Sequence, residues 1–385
     1  MLVFKEFENN EFSILDTEDN VIESISGEEL LNILYTTDIE IKGLSLNSKG
    51  FIVDDTNTVL YKHIKSKNSS LIKAKKDKND EFYTQLSDIE KELSHYHIET
   101  FKDKVIYCPC DSVDMSNGYI SNFARYFYNN FEVLGIKKLI CTCYSDGINY
   151  FEYDGKTEIK DSRGSGDFRS EYCTKLLQEA DIVVTNPPFS LFGDFIKLLL
   201  KSEKKFLIIG NRASYSQDYI FNNIKNNILW TGSSKTHQVL FTLPPEVDTD
   251  LYNKYLRGEL KVNLGSGHDK SYTLTKDNHI VKGINACWYT NINLDKRFED
   301  FIGMSMQDNI AKGVKYVKYD DFDAIDISKV NDIPIDYDGV MGVPITFIDK
   351  YNPNQFELIK ILKKVHINGK VPYARILIRR RNKHI

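Results

Sequence analysis

Residues 181–189 read DIVVTNPPF, an apolar run that ends in a rigid polar turn. Proline has no N–H group, so a central strand has to end before Pro187 and Pro188. The pattern therefore predicts a buried strand over residues 181–185, a turn over residues 186–189 and a helix over residues 191–200. A strand that leads through a short turn into a helix is typical of α/β proteins.

Strands and helices alternate on both sides of this stretch. Apolar runs predict strands, and amphipathic segments flanked by capping residues predict helices. The predicted strands are residues 105–108, 138–141 and 206–209, and the predicted helices are residues 85–96, 121–134 and 171–179. Thr84 and Ser121 are predicted N-caps, and Gly135 is predicted to stop the second of these helices. Elements at this spacing predict a parallel sheet with helices on its faces.

Three regions of the chain differ in pattern. Residues 1–68 predict a small accessory α+β module, in which residues 11–25 alternate around an acidic turn as a hairpin does. Residues 69–295 predict the main α/β domain, with a polar insertion at about residues 245–282. Residues 296–385 predict a C-terminal region that ends in a final strand.

The charge is close to balanced, with a formal net charge of −5 over 385 residues. No apolar run approaches the roughly 18–20 residues that a membrane span needs, and the start of the chain is acidic where a signal peptide is basic. We therefore expect a soluble, cytoplasmic protein without membrane contact. Basic segments at residues 62–78, 197–205 and 379–383 are sufficient to hold phosphates, although solvated surface is an equal alternative for each.

Ligands of open α/β sheets bind at the carboxyl ends of the strands. Polar and turn-forming residues follow the predicted strands in this chain and mark one edge of the sheet as the candidate pocket. These residues are Pro109, Cys110, Asp111, Tyr144, Ser145, Asp167, Phe168, Asn186, Pro187, Pro188, Phe189, Gly210 and Asn211.

The turn at residues 186–189 has the chemistry of a pocket for an amine on a flat ring. The side-chain oxygen of Asn186 and the carbonyl of Pro187 are two acceptors held close together, and an exocyclic amine has two hydrogens to donate. Accepting both hydrogens draws the nitrogen lone pair out of conjugation, while Phe189 can stack on the ring. An ordinary strand-ending turn is the alternative, which the strand before and the helix after make less favoured.

The six cysteines lie mostly inside apolar, strand-like runs, so we predict no disulfides. They are Cys108, Cys110, Cys141, Cys143, Cys173 and Cys287. Strand alternation places Cys108 with Cys110, and Cys141 with Cys143, on one face each, which leaves a zinc site as an alternative. Because buried free cysteine is common in such strands, we predict that the protein has no metal site.

Several motifs in the same order closely resemble the EcoRI-type adenine-specific DNA methyltransferases. The resemblance begins at about Phe82 and covers most of the chain after the first seventy residues. The matching motifs are FYTQLSDIEKEL, VIYCPCD, LGIKKLICTCY, GSGDFRS, ADIVVTNPPFSLF, FLIIGN, INACWYTN, DYDGVMGVPITF and NGKVPYARILIRR. The NPPF element alone is shared by other amino-group methyltransferases, whereas the ordered set is specific.

The resemblance implies an α/β, Rossmann-like S-adenosylmethionine-dependent methyltransferase sheet with a C-terminal target-recognition region. It implies direct methyl transfer from S-adenosyl-L-methionine to the N6 amine of a flipped-out adenine in double-stranded DNA. The residues implied to hold the adenine are Asn186, Pro187, Pro188 and Phe189. The residues implied to bind the cofactor are Tyr83, Thr84, Cys110, Asp111, Asp167, Phe168 and Asn186. It also leaves room for a cognate restriction endonuclease, and we expect a monomer.

The chain departs from the family pattern at three places and leaves other functions open. The segment before Gly166 is not apolar enough to predict a strand. The glycine-rich first motif is replaced by Pro109-Cys110-Asp111, and no acidic residue closes the second strand, Asp146 being the nearest. The alternatives are a methyltransferase for RNA or a protein amide, a non-catalytic DNA-binding relative, and cytosine N4 methylation. The candidates for contact with DNA bases are Arg297, Lys318, Arg375 and Arg379.

Overall fold

The computed structural model divides the chain into two compact units, Met1–Asp77 and Lys78–Ile385. The structure describes residues 2–8, 11–15, 21–26, 30, 41–42, 44–46, 52–54, 59–61, 83–112, 121–145, 147–234, 239–243, 245–262, 272–275, 279–320, 323–363 and 374–381. Among these residues, no helix combines the length and the apolar character needed to cross a bilayer.

The described residues of the first unit form two small sheets. Its strands are β1 (Leu2–Glu8), β2 (Glu11–Leu15), β3 (Val21–Ser26), β4 (Ile41–Lys42), β5 (Leu44–Leu46), β6 (Ile52–Asp54) and β7 (Val59–Tyr61). The first sheet has the order β3-β2-β1-β4 and the second has the order β5-β6-β7. Strands β2 and β3 pair antiparallel, which confirms the hairpin predicted from the acidic turn.

The second unit is built around an eight-stranded sheet. The elements up to the end of the predicted α/β pattern are β8 (Tyr83–Thr84), α1 (Leu86–Leu93), β9 (Val105–Cys108), α2 (Asn122–Asn129), β10 (Lys138–Thr142), β11 (Tyr150–Tyr153), β12 (Glu158–Asp161), α3 (Glu171–Glu179), β13 (Ile182–Thr185), α4 (Phe192–Ser202), β14 (Lys205–Asn211), α5 (Asp218–Lys225) and β15 (Trp230–Thr231). The remaining elements are β16 (Val239–Thr242), α6 (Pro245–Leu256), β17 (Tyr272–Leu274), β18 (Ile280–Ile284), β19 (Ala286–Thr290), α7 (Met306–Ala311), β20 (Val317–Lys318), β21 (Ile325–Asp326), β22 (Met341–Pro344), β23 (Phe356–Leu362) and β24 (Arg375–Arg380).

The strand order of the large sheet is β12-β11-β10-β9-β13-β14-β19-β15. Strands β10, β9, β13 and β14 run parallel, and β19 runs antiparallel between β14 and β15. Strand β9 is followed by β10 on one side and later by β13 on the other, so the chain changes direction across β9. A crevice at the carboxyl ends of the strands forms at such a switch point, which is where open α/β sheets bind their ligands. The predicted Rossmann-like sheet is thereby confirmed.

Alternate residues of the parallel strands define the core on one face of the sheet. Ile106 and Cys108 of β9 and Ile182 and Val184 of β13 pack into one buried cluster with helices α1 and α2. The ring of Phe123 in α2 meets Trp288 of β19 edge to face at 5.9 Å between centroids. Burying both faces of a strand explains why these runs are apolar at every position rather than at every second one.

Helix α2 begins as predicted but ends earlier. Ser121 is its N-cap and accepts a hydrogen bond from the Phe123 N–H at 3.3 Å. The helix ends at Asn129 rather than at Leu134, and irregular turns lead on to Gly135. Gly135 adopts the left-handed backbone conformation expected of a stop, with φ of 62°. The amphipathic pattern continued past the helix because Phe131 stays buried in the turn that follows.

The predicted capping role of Thr84 is wrong. Helix α1 has Gln85 at its N-cap, with no hydrogen bond from a capping side chain. Tyr83 and Thr84 instead form strand β8, which pairs antiparallel with Thr242 and Phe241 of β16. The backbone pairing with a distant strand fixes Thr84 in extended conformation, as part of a strand rather than as a helix cap.

Strand β8 belongs to a four-stranded sheet of order β17-β18-β16-β8. The segment predicted as a polar insertion contains helix α6 and contributes strand β17 and the start of strand β18 to this sheet. Leu243, Val262 and Ile280 form a small apolar core beneath it. This segment therefore has its own regular structure among the described residues, and its strand β18 pairs with β16, the partner of β8.

The C-terminal part forms a five-stranded sheet of order β20-β21-β22-β24-β23. A buried ion pair joins its strands, with Arg375 Nε 2.9 Å from Asp326 Oδ1. The hydroxyl of Tyr319 donates to the same Asp326 oxygen at 2.7 Å. Because burying one charge alone is costly, the two partners are expected to stay together, and they connect β21 to β24 across the intervening strand β22.

Candidate functional site

The carboxyl edge of the sheet at the switch point is centred on Asp111. This residue follows β9, is 4% exposed, and receives a hydrogen bond on each carboxylate oxygen. Thr185 Oγ1, at the end of β13, donates to Asp111 Oδ2 at 2.6 Å. Ser121 Oγ, at the N-cap of α2, donates to Asp111 Oδ1. One carboxyl group therefore links the ends of two neighbouring strands to the start of a helix.

Burial raises the pKa of the Asp111 carboxyl to about 6, although the hydrogen bonds from Ser121 and Thr185 act in the opposite direction. Desolvation disfavours the charged form, and the two hydroxyl donors only partly compensate for it. The site consequently holds a carboxyl that changes charge within about two pH units of neutrality.

The raised pKa predicts a pH dependence of stability. The folded protein binds the Asp111 proton more tightly than the unfolded chain, so the free energy of unfolding falls as pH rises through the interval between the two pKa values. Between about pH 5 and about pH 8, the wild type should lose about 1 kcal/mol relative to Asp111→Asn, which has no carboxyl to ionise. Urea unfolding of both proteins at the two pH values measures the difference. Parallel pH profiles for the two proteins would contradict a raised pKa.

The turn after β13 carries the predicted amine pocket. Pro187 is buried, and Asn186, Pro188 and Phe189 are half-buried. The Pro188 carbonyl accepts a hydrogen bond from the Leu191 N–H at 2.9 Å, which closes a short 3-10 helix over Phe189–Leu191. The two prolines fix the turn because their φ angles are locked and they donate no hydrogen bonds.

Strand β16, the partner of β8, contacts this turn. The ring of Phe189 meets Phe241 of β16 edge to face at 5.9 Å between centroids, and Phe241 is the register partner of Thr84. The carbonyl of Thr84 accepts from Asn122 Nδ2 at 2.8 Å, next to the Ser121 that contacts Asp111. A chain of direct contacts therefore brings Thr84, Asp111 and Phe189 together at the carboxyl edge.

Thr84 also presents a buried polar atom. The residue is 3% exposed, and its Oγ1 has no hydrogen-bond partner among the described residues. An unsatisfied buried hydroxyl is costly and is uncommon in folded proteins. Its neighbour Tyr83 lies opposite Thr242 in the same pairing.

The loop before α3 approaches the end of β10 very closely. Gly166 has φ of 67°, and a Cβ on it would lie 1.7 Å from the carbonyl oxygen of Cys143. No other residue type fits there without moving the loop. The sequence GSGDF therefore docks its last two residues, Asp167 and Phe168, at the edge that follows β10.

Asp167 and Phe168 are both held firmly. Arg169 forks onto the Asp167 carboxylate, with Arg169 Nη2 2.9 Å from Asp167 Oδ2 and Arg169 Nε 3.1 Å from Asp167 Oδ1. Phe168 is 6% exposed, and its ring meets Phe195 of α4 edge to face at 4.9 Å. The acidic and aromatic pair is thus fixed beside β10 and β13 by contacts that the sequence pattern did not indicate.

The cysteines near the edge are free thiols. Cys108 and Cys141 are register partners in β9 and β10 and are fully buried. Burial raises the pKa of the half-buried Cys110 thiol, and the adjacent Asp111 carboxylate raises it further. In the part of the chain that the structure describes, no three His, Cys, Asp or Glu side chains are arranged to hold a metal ion.

The four candidates for base contacts are in different environments. Arg375 is in the buried ion pair with Asp326, and Arg297 stacks over Trp230 at 4.0 Å from its centroid. Lys318 pairs with Asp323 at the surface, and Arg379 is exposed. Asp146 and the whole basic segment at residues 62–78 lie outside the described residues.

Sequence reasoning missed three residues of the edge, namely Ser121 as a partner of Asp111, Thr185, and Phe241. The sequence indicated Ser121 as a helix N-cap, but no pattern indicated that its hydroxyl contacts the Asp111 carboxylate. Thr185 stood at the end of the quoted strand as a polar residue after three apolar ones, which is a usable signal for a buried hydrogen bond. No local sequence pattern indicated Phe241, because its place beside Phe189 depends on the pairing of β16 with β8.

The strand order, the switch point and the proline turn after β13 define a Rossmann-like methyltransferase that acts on amino groups. The family model described as adenine-specific methyltransferase EcoRI matches residues 70–163 and 149–368. The chain therefore belongs to the EcoRI family of adenine-specific methyltransferases and is an enzyme of that class.

Individual relatives agree with this assignment. The Type II methyltransferase M.EcoRI of Escherichia coli is 43% identical over 338 residues, which is 81% of this chain and 96% of the relative. M.MgeORF184P of Mycoplasma genitalium is 35% identical over 336 residues, 80% of this chain and 98% of the relative. M.MpnI of Mycoplasma pneumoniae is 35% identical over 335 residues, 80% of this chain and 97% of the relative. No solved structure matches the chain significantly.

Proposed function

We propose that this enzyme methylates the N6 amine of adenine at specific sites in double-stranded DNA, with S-adenosyl-L-methionine as methyl donor. The observation that carries the proposal is the rigid Asn186–Phe189 turn at the carboxyl end of β13, directly beside Asp111 at the switch point. Family membership over residues 70–368 supports the same substrate. A stacked adenine cannot enter a crevice of this kind, so the base has to be flipped out of the duplex.

On the substrate side, the residues of the turn have separate tasks. Asn186 Oδ1 and the Pro187 carbonyl would accept the two N6 hydrogens, which leaves the nitrogen lone pair directed away from the ring. Pro188 would keep the two acceptors at a fixed separation, because its ring restricts the backbone. Phe189 would stack on the base, with its own position fixed by the edge-to-face contact with Phe241.

On the cofactor side, the residues present fit S-adenosylmethionine. The buried Thr84 Oγ1 lacks a partner among the described residues and is suited to a polar ligand, and Tyr83 shares its strand. Cys110 and Asp111 would line the first turn, while Asp167 and Phe168 would hold the adenine end of the ligand. When bound, S-adenosylmethionine supplies a methyl group on a sulfonium sulfur, which passes to N6 with release of S-adenosylhomocysteine and a proton. Asn186 would contact both ligands.

The three regions of the chain would have different functions. Residues 69–295 would form the catalytic domain, residues 296–385 would recognise the target sequence, and residues 1–68 would be an accessory module. Exposed cations such as Arg379 and Lys318 are candidates for DNA contact. We further propose that the enzyme acts in the cytoplasm as a monomer, alongside a cognate restriction endonuclease.

The test is product identification. Purified protein is incubated with mixed-sequence duplex DNA and isotope-labelled S-adenosylmethionine, and the DNA is digested to nucleosides for mass spectrometry. Labelled N6-methyladenine is the expected product, and sequencing of the modified DNA would then give the target. Labelled N4-methylcytosine, or label only in RNA or protein when these are supplied instead, would overturn the proposal. Cofactor binding without any labelled product would indicate a different acceptor, and no cofactor binding would indicate a non-catalytic relative.

A further inference from the structure

The Asp111 carboxyl joins segments that the proposed function assigns to different ligands. Thr185 donates to one of its oxygens and directly precedes the turn at Asn186. We propose that Thr185 is a positioning residue whose hydrogen bond to Asp111 fixes the target-amine turn relative to the cofactor-side turn. The inference rests on the proposed function and adds a determinant of methyl transfer that touches neither ligand.

The Asp111 end of the link is rigid. The Asp111 N–H donates to the Thr142 carbonyl at 2.9 Å, which ties the residue to the end of β10. Its second carboxylate oxygen accepts from Ser121 Oγ, and the Ser121 N–H donates to the Ser112 carbonyl at 3.0 Å. Asp111 is therefore fixed both to the sheet and to the N-terminus of α2. A side chain that hydrogen-bonds to Asp111 is consequently held at a fixed place in the fold.

The sheet holds the Thr185 end of the link on its β14 side, where Thr185 is the register partner of Ile208. Thr185 is fully buried, and β13 pairs with β9 only at Ile182 and Val183, before the strand reaches Thr185. On its β9 side, the last part of β13 is joined through the Thr185 side chain, which donates to Asp111 and also contacts the Cys110 thiol. Asn186 comes one peptide bond later, so a rotation or shift at Thr185 moves both acceptors of the turn.

The consequence for catalysis follows from geometry. Transfer between two bound ligands depends on alignment, and a misplacement of about 1 Å can lower the rate by roughly 100-fold. Without the hydrogen bond from Thr185 to Asp111, the substrate and the cofactor would each still contact their own binding residues. Loss of the link should therefore lower kcat more than it weakens the binding of either ligand.

The experiment compares Thr185→Val with Thr185→Ser and a matched control. Valine has the shape of threonine but no hydroxyl, whereas serine keeps the donor. The control is Thr290→Val in β19, which removes a hydroxyl that is equally buried and donates to the Phe206 carbonyl at 2.7 Å, away from the carboxyl edge. Single-turnover methylation rates, kcat, the KM for DNA and the Kd for S-adenosylmethionine are measured, with Tm as a check on folding.

T185V is expected to lower kcat roughly 10- to 100-fold, with the Kd for S-adenosylmethionine and the KM for DNA within about threefold of the wild type. T185S should restore kcat to within about threefold, and T290V should lower Tm without lowering kcat. A T185V enzyme with wild-type kcat, or a kcat loss no larger than that of T290V, would overturn the inference. If T185V does not fold, Thr185→Cys, which keeps only a weak donor, replaces it with the same criterion. Absence of N6-methyladenine from the wild type would instead refute the proposed function.

Discussion

Asn186→Ala is expected to lower kcat by roughly 100- to 1,000-fold, because the substitution removes an acceptor directed at charge that develops on N6 in the transition state. The remaining carbonyl of Pro187 would hold only one of the two N6 hydrogens. The nitrogen would then keep its lone pair in conjugation with the ring and would be a weaker nucleophile. Binding of S-adenosylmethionine should change less than kcat, since Asp111, Asp167 and Phe168 stay in place.

The measurement is labelled methyl transfer to duplex DNA under saturating conditions, with the melting temperature recorded for each protein. Ser190→Ala is the matched control. Ser190 is exposed, lies in the short 3-10 helix that follows the turn, and is assigned no role in the reaction. Near-wild-type kcat in Asn186→Ala would eliminate the proposed pocket. An equal loss of kcat in Ser190→Ala would show that substitutions in this region lower activity regardless of position. The loss in Asn186→Ala would then not identify Asn186 as an acceptor for N6.

Gly166→Ala is expected to lower the free energy of unfolding by at least about 2 kcal/mol and to weaken S-adenosylmethionine binding by about tenfold or more. Two effects combine at this position. A left-handed φ of 67° strains any residue with a Cβ, and that Cβ would lie 1.7 Å from the backbone oxygen of Cys143. The loop would have to withdraw from β10 and would take Asp167 and Phe168 with it.

Gly164→Ala separates the two effects. Gly164 has a similar φ of 62°, but a Cβ on it would meet only Tyr172 Cβ at an ordinary 3.7 Å. This variant should cost about 1–2 kcal/mol from backbone strain alone and leave cofactor binding close to wild type. Urea unfolding and titration calorimetry with S-adenosylmethionine provide both quantities. Equal losses in the two variants would mean that the close approach to Cys143 contributes nothing.

Local signals in the sequence located most elements of the large sheet. The run VIYC gave β9 at its observed bounds, and helix α3 was predicted over the residues that it occupies. Ser170 and Ser121 cap their helices, because a hydroxyl beside the first free N–H groups acts within a few residues. The proline turn after β13 was equally local, since proline limits the backbone wherever it stands.

Thr84 shows where local signals fail. A threonine before an amphipathic segment has the pattern of an N-cap, yet its backbone pairs with β16 more than 150 residues later in the chain. The extended conformation required by that pairing took precedence over capping. The same pairing placed Phe241 against Phe189, a contact that no short-range pattern contains.

The sequence by itself determined the alternation of strands and helices, the proline turn and the membership of the methyltransferase family, because these depend on neighbouring residues or on an ordered set of motifs. Only the tertiary structure decided what surrounds Asp111. Its two hydroxyl donors lie 10 and 74 residues away in the chain, and burial among them raises its pKa. Desolvation and hydrogen bonding act through distance in space, so they are defined only once the folded chain has brought Ser121 and Thr185 to the same carboxyl group.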